Sequence, residues 1–138
     1  MTKQLTNILF AVLLFATATT YAHTPVGDPP IKTMKNNVVQ HIVLFKFKPD
    51  TTPEKLKEIL AAFEALPSKI KEIKGFQWGT NNSPENHAHG LTHAFILTFD
   101  SEKDRDAYLP HPAHKEFGTI VGSSLADVTV VDFTNQAR

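Results

Sequence analysis

The chain has 138 residues, with 14 acidic residues balanced by 14 lysines and arginines, and it contains no cysteine. A balanced charge offers no electrostatic pull on nucleic acid or on an anionic membrane surface. Without cysteine there is neither a disulfide nor a lipid-modified N-terminal thiol, so the folded part must be held by its core, and a dimer interface would add to it.

The first segment runs from Lys3 through an uncharged apolar stretch at residues 8–18 to small residues that end at Ala22. That order of charge, apolar core and small residues is the order of a secretory signal, and the apolar stretch is shorter than the roughly 20 residues needed to span a bilayer. The expectation is a signal peptide over residues 1–22, cut after Ala22, and a secreted or periplasmic product. Cleavage removes one lysine and no acid, leaving a formal charge of −1. Residues 23–37 contain Pro25, Gly27, Pro29 and Pro30 and few large apolar side chains, so a flexible linker is expected there, followed by a domain over residues 38–134 and a tail over residues 135–138.

Residues 38–48 place His41, Val43, Phe45 and Phe47 on one face of a strand and Ile42 and Leu44 on the other. Two apolar faces predict a central strand covered on both sides. Pro53 suits the first position of a helix, where its missing N–H costs nothing, and Leu56, Ile59, Leu60, Phe63 and Leu66 follow at helical spacing. Pro67 ends this helix or breaks it into a second short turn. A strand carrying Phe76 and Trp78 is expected after Gly75, then a polar loop over residues 80–90, then a strand over residues 92–99 that sets His93, Phe95, Leu97 and Phe99 against Ala94 and Ile96. Ser101 can cap a helix through Asp104, Arg105 and Tyr108. Pro110 and Pro112 interrupt it, residues 113–125 resume in helical fashion, and residues 127–134 close the chain as a valine-rich strand. The order is βαββαβ, an α+β, ferredoxin-like plan.

Five segments then carry a resemblance: QHIVLFKFK at 40–48, GTNNSPE at 79–85, GLTHAFILTF at 90–99, YLPHPAHKEF at 108–117 and VVDF at 130–133. Together, in this order, the chain resembles the stress-responsive A/B barrel (Dabb) family over about residues 38–134. The resemblance implies a ferredoxin-like monomer that pairs sheet to sheet with a second copy to form a dimeric α/β barrel. It also implies, from the family's plant polyketide cyclase, a general base at the histidine matching His114 and a hydroxyl partner at the tyrosine matching Tyr108. The residues matching His41, His93 and Asp132 would line the same cavity. A base for an acidic carbon proton and a donor for the resulting oxyanion are what such a step requires.

Each candidate also has a plain structural use. His111 and His114 flank a helix break, where an imidazole can satisfy free backbone groups; His41 and His93 can be pocket-wall histidines; Asp132 can bond a backbone amide. His87 with His89, or His23, could chelate copper or zinc, but His-x-His on a loop brings no third ligand, so no metal and no other cofactor is expected. Two functions stand side by side: an exported binding domain for a small hydrophobic or polyketide-like molecule that acts as a cofactor-independent cyclase, isomerase or lyase, and a non-catalytic, stress-related dimeric binding or scaffold protein.

Overall fold

A computed structural model describes residues 37–136 of the chain. The expected signal peptide and nearly all of the expected linker lie outside the described residues, as do the last two residues of the expected tail. Among the described residues no helix is long and apolar enough to cross a membrane.

Strand β1 spans Val39–Phe47 and buries Val39, His41, Val43 and Phe45 on one face, while Ile42 and Leu44 are half-buried on the other. Helix α1 spans Pro53–Glu64; the Thr52 hydroxyl accepts the Lys55 N–H and caps it, and Ile59 and Phe63 point into the core. The break at Pro67 produces a separate turn, α2, over Leu66–Lys69. Strand β2 spans Ile73–Thr80 and so begins before Gly75. Gly75 sits instead in a bulge of β2, where a Cβ would come within 3.1 Å of the Thr98 hydroxyl. A glycine inside a strand serves that close approach rather than marking the strand's start.

Strand β3 spans His93–Phe99, and helix α3, over Glu102–Tyr108, is capped by the Ser101 hydroxyl accepting from the Asp104 N–H. Helix α4 spans Pro112–Gly122 and β4 spans Leu125–Thr134. The last helix therefore stops short of the expected residue 125. Beyond its last turn, the carbonyls of Ser123 and Ser124 accept from the ammonium and the backbone N–H of Lys48, the residue that follows β1.

The four strands form one antiparallel sheet in the order β2-β3-β1-β4. The helices cover one face. There, Phe63 stacks against Phe95 and Phe117 with ring centroids 4.4 and 4.3 Å apart, and Phe45 completes the cluster. The register puts Val131 opposite Ile42 and Phe133 opposite Gln40, on the face without helices. Val131 is 49% and Phe133 47% exposed, although Ile42, Leu44 and Ile96 beside them are half-buried. Strand β4 is an edge, and the residues it turns toward the helices, Val128 and Val130, are exposed as well.

Candidate functional site

A cavity of about 250 Å³ opens between α3, α4 and the helix-side face of β1 and β4. Its walls are apolar, with Phe117, Val121 and Val128 among them, and its polar groups are His41, Tyr108 and His114. The volume lies just under the roughly 300–1,000 Å³ usual for ligand pockets, so it suits a small molecule.

Local chain geometry brings the polar groups together. Tyr108 is the last residue of α3, and the Pro110–Pro112 break turns the chain so that His114 falls in the first turn of α4. The two rings lie 4.2 Å apart between centroids, inclined at 39°. His114 Nδ1 lies 2.9 Å from the Leu109 carbonyl oxygen. A carbonyl can only accept, so Nδ1 carries the proton in this contact and Nε2 is left with its lone pair. Tyr108 is 1% exposed, and burial pushes its phenol well above the ordinary value, so it remains a neutral O–H donor across the physiological range.

His41 reaches the same cavity from β1. Its ring stands edge-on to Tyr108 with centroids 5.7 Å apart, and its Nδ1 is 2.6 Å from Asp132 Oδ1, directly across the β1–β4 register. Burial is the largest influence on His41 and lowers its pKa; the hydrogen bond to Asp132 works in the opposite direction without overturning it. The ring is therefore neutral near pH 7, with Nδ1–H donated to the carboxylate. Asp132 does not itself line the cavity. Its second oxygen, Oδ2, accepts from the Arg105 guanidinium, whose Nε in turn donates to Asp106 at 2.7 Å.

His93 lies elsewhere. It shares the helix-side face but pairs with Phe45, four residues along β1 from His41, or roughly 13 Å at about 3.3 Å per residue. It packs between Phe47 and Trp78, meets the Thr92 hydroxyl at 2.9 Å, and does not line the cavity; burial lowers its pKa. The expectation that both strand histidines share one cavity is thus not met, because each lies near the start of its own strand and antiparallel pairing sets those starts at opposite ends of the sheet. His111 caps α4 by accepting the Ala113 N–H. Among the described residues no group of three or more candidate side chains is placed to hold a metal ion.

Two participants escaped the sequence reading, Leu109 through its carbonyl and Arg105 through its guanidinium. Arg105 carried a usable signal, since it precedes Tyr108 by three residues and so shares its face of α3.

The stress-responsive A/B barrel domain model matches residues 39–135. The chain is 41% identical over 95 residues to the stress-response A/B barrel domain-containing protein HS1 of Arabidopsis thaliana, covering 69% of this chain and 87% of that one. It is 30% identical over 96 residues to olivetolic acid cyclase of Cannabis sativa, covering 70% and 95%. Among solved structures it resembles hydroxynitrile lyase from Passiflora edulis, with a TM-score of 0.70, 26% identity and coverage of 75% and 98%. With the βαββαβ fold and its helix-side cavity, this match over nearly all the described residues means that the chain belongs to the stress-responsive A/B barrel domain family.

Proposed function

We propose that the domain binds a small, uncharged, largely apolar molecule bearing a carbonyl or hydroxyl group and moves a proton on it, as a cofactor-independent cyclase, isomerase or lyase. His114 Nε2 is the base and the Tyr108 hydroxyl is the donor to the oxygen that gains charge. The observation that carries this reading is the Tyr108–His114 ring pair in a largely apolar cavity, with the His114 Nδ1–H occupied by Leu109. A base and a donor side by side can take a proton from carbon and stabilise the enolate that results. His41, held by Asp132, borders the polar end as a further acceptor for a ligand hydroxyl. The preference for an uncharged ligand follows from the lining: Arg105 is engaged by Asp132 and Asp106, so it offers a bound carboxylate no unshared cation. The relatives named as a cyclase and a lyase agree with this class of chemistry.

Native mass spectrometry on protein purified from its own source tests the binding half of the proposal. A retained small molecule, lost on Phe117→Trp filling of the cavity, supports it. Retention unchanged by the filling places the ligand elsewhere, and protein that never carries or takes up a small molecule favours the scaffold reading.

We also propose that the domain works as a homodimer across the helix-free sheet face, which the exposed Val131 and Phe133 support. Export after cleavage at Ala22 is proposed from the order of residues 1–22 alone.

A further inference from the structure

We propose that Arg105 is a positioning residue for the cavity: by gripping Asp132 Oδ2 it holds Asp132 Oδ1 on His41 Nδ1, and so fixes the tautomer and orientation in which His41 Nε2 serves the cavity. Asp132 lies on β4, an edge strand, and its side chain keeps 31% of its surface in water. A carboxylate so placed, bonded at one oxygen only, can rotate toward solvent at little cost, because water replaces the lost hydrogen bond. Arg105 removes that freedom. Its side chain is only 18% exposed, one nitrogen is bonded to Asp132 Oδ2, and Nε is bonded to Asp106 Oδ1 at 2.7 Å, so the guanidinium is itself held at two points. The planar fork of arginine suits such a bridge between two carboxylates.

The chain of contacts therefore runs Asp106, Arg105, Asp132, His41, crossing from α3 to β4 to β1. The groups facing His41 are Asp132 on β4, Tyr108 and Arg105 on α3, and His114 on α4. Tyr108 meets the ring edge-on and His114 is bonded to Leu109, so among these the carboxylate is the group that selects the tautomer. A histidine whose Nδ1–H is fixed by a carboxylate presents Nε2 as acceptor, the arrangement that positions catalytic imidazoles generally. Burial agrees, since it lowers the His41 pKa and keeps the ring neutral.

The test is ¹⁵N NMR of the His41 ring in the ligand-free protein at neutral pH. The native chain should show one tautomer, with Nδ1 protonated and Nε2 bare. Arg105→Met keeps an unbranched stem and removes the fork; it should lose the single-tautomer signature and show averaged ring nitrogens while the amide spectrum stays folded. Arg105→Lys, which keeps one cationic donor for Asp132, should retain part of the Nδ1–H form, and Arg105→Gln, which also lacks the cation, takes the place of Arg105→Met if that variant does not fold. A His41 ring spectrum unchanged from the native one in the folded variant without the cation overturns the assignment. Any bearing on turnover rests on the proton-transfer function above, whereas the ring spectrum is recorded without ligand, so the two proposals fail separately.

Discussion

The His114 imidazole donates from Nδ1 to the carbonyl oxygen of Leu109 across the Pro110–Pro112 break, at 2.9 Å. The same break that ends α3 thus supplies the acceptor that orients the proposed base, and one short segment builds both the turn and the site.

Replacing that base should separate chemistry from folding. His114→Ala is expected to lower turnover by about a hundredfold to ten-thousandfold, the usual worth of a general base, with a small change in melting temperature. Tyr108→Phe should also reduce turnover, because it removes only the hydroxyl. His111→Ala is the control of opposite sign: it removes the α4 cap that accepts the Ala113 N–H, so it should cost about 0.5–2 kcal/mol of stability and leave turnover per folded molecule unchanged. Steady-state rates and thermal melts on the three variants read both axes.

Stability should fall on mild acidification. His41 and His93 are buried and both have pKa values lowered by burial. Below the unfolded value of about 6.5 the unfolded chain binds protons that the folded chain refuses, so stability is full above that pH and declines as pH drops toward the folded-state values. Urea midpoints between about pH 7.5 and pH 5.5 measure this slope. His93→Gln, which removes one of the two groups without touching the cavity, should flatten it; an equal slope in the variant would remove His93 as a contributor.

The helix-free sheet face should hold the second copy. Phe133→Lys and Val131→Asp alter side chains that are about half-exposed in the single chain, so the monomer fold should survive them. Light scattering at micromolar concentration is expected to give a dimer for the native domain and a monomer for the double variant. A native domain that stays monomeric excludes the barrel pairing.

Phe117 joins core to cavity, stacking on Phe63 at 4.3 Å while lining the pocket. Phe117→Ala should cost about 3–5 kcal/mol, typical of a buried phenylalanine. Thermal and urea unfolding check it. A loss under 1 kcal/mol would mean that the aromatic cluster is not the centre of the core.

The sequence made the framework legible because its signals are local. Pro53, Pro67 and Ser101 mark helix starts and breaks through backbone hydrogen bonding within a few residues, and alternation along residues 39–45 and 93–99 marks which strand face is buried. Gly75 misled because a bulge and a strand start share the same residue signal, and only the neighbouring Thr98 distinguishes them. The site was partly legible. Tyr108 and His114 are six residues apart and are joined by the break between them, and His41, Tyr108 and His114 all line one cavity. His93 was misplaced because alternation reports the face of a strand and not the position along it, which antiparallel register decides. The Arg105–Asp132 contact spans 27 residues and two elements, a distance at which no local pattern operates.

The central claim, that the Tyr108–His114 pair moves a proton on an uncharged apolar carbonyl compound, is tested most directly by proton exchange. Phenylacetone, a neutral aromatic ketone with acidic carbon protons, is incubated with the protein in deuterated buffer, and loss of its α-proton signal is followed by NMR. The native domain should accelerate exchange over buffer, and His114→Ala should lose about a hundredfold to ten-thousandfold of that acceleration. Exchange no faster than in buffer, or equal acceleration by the native domain and His114→Ala, would contradict the account.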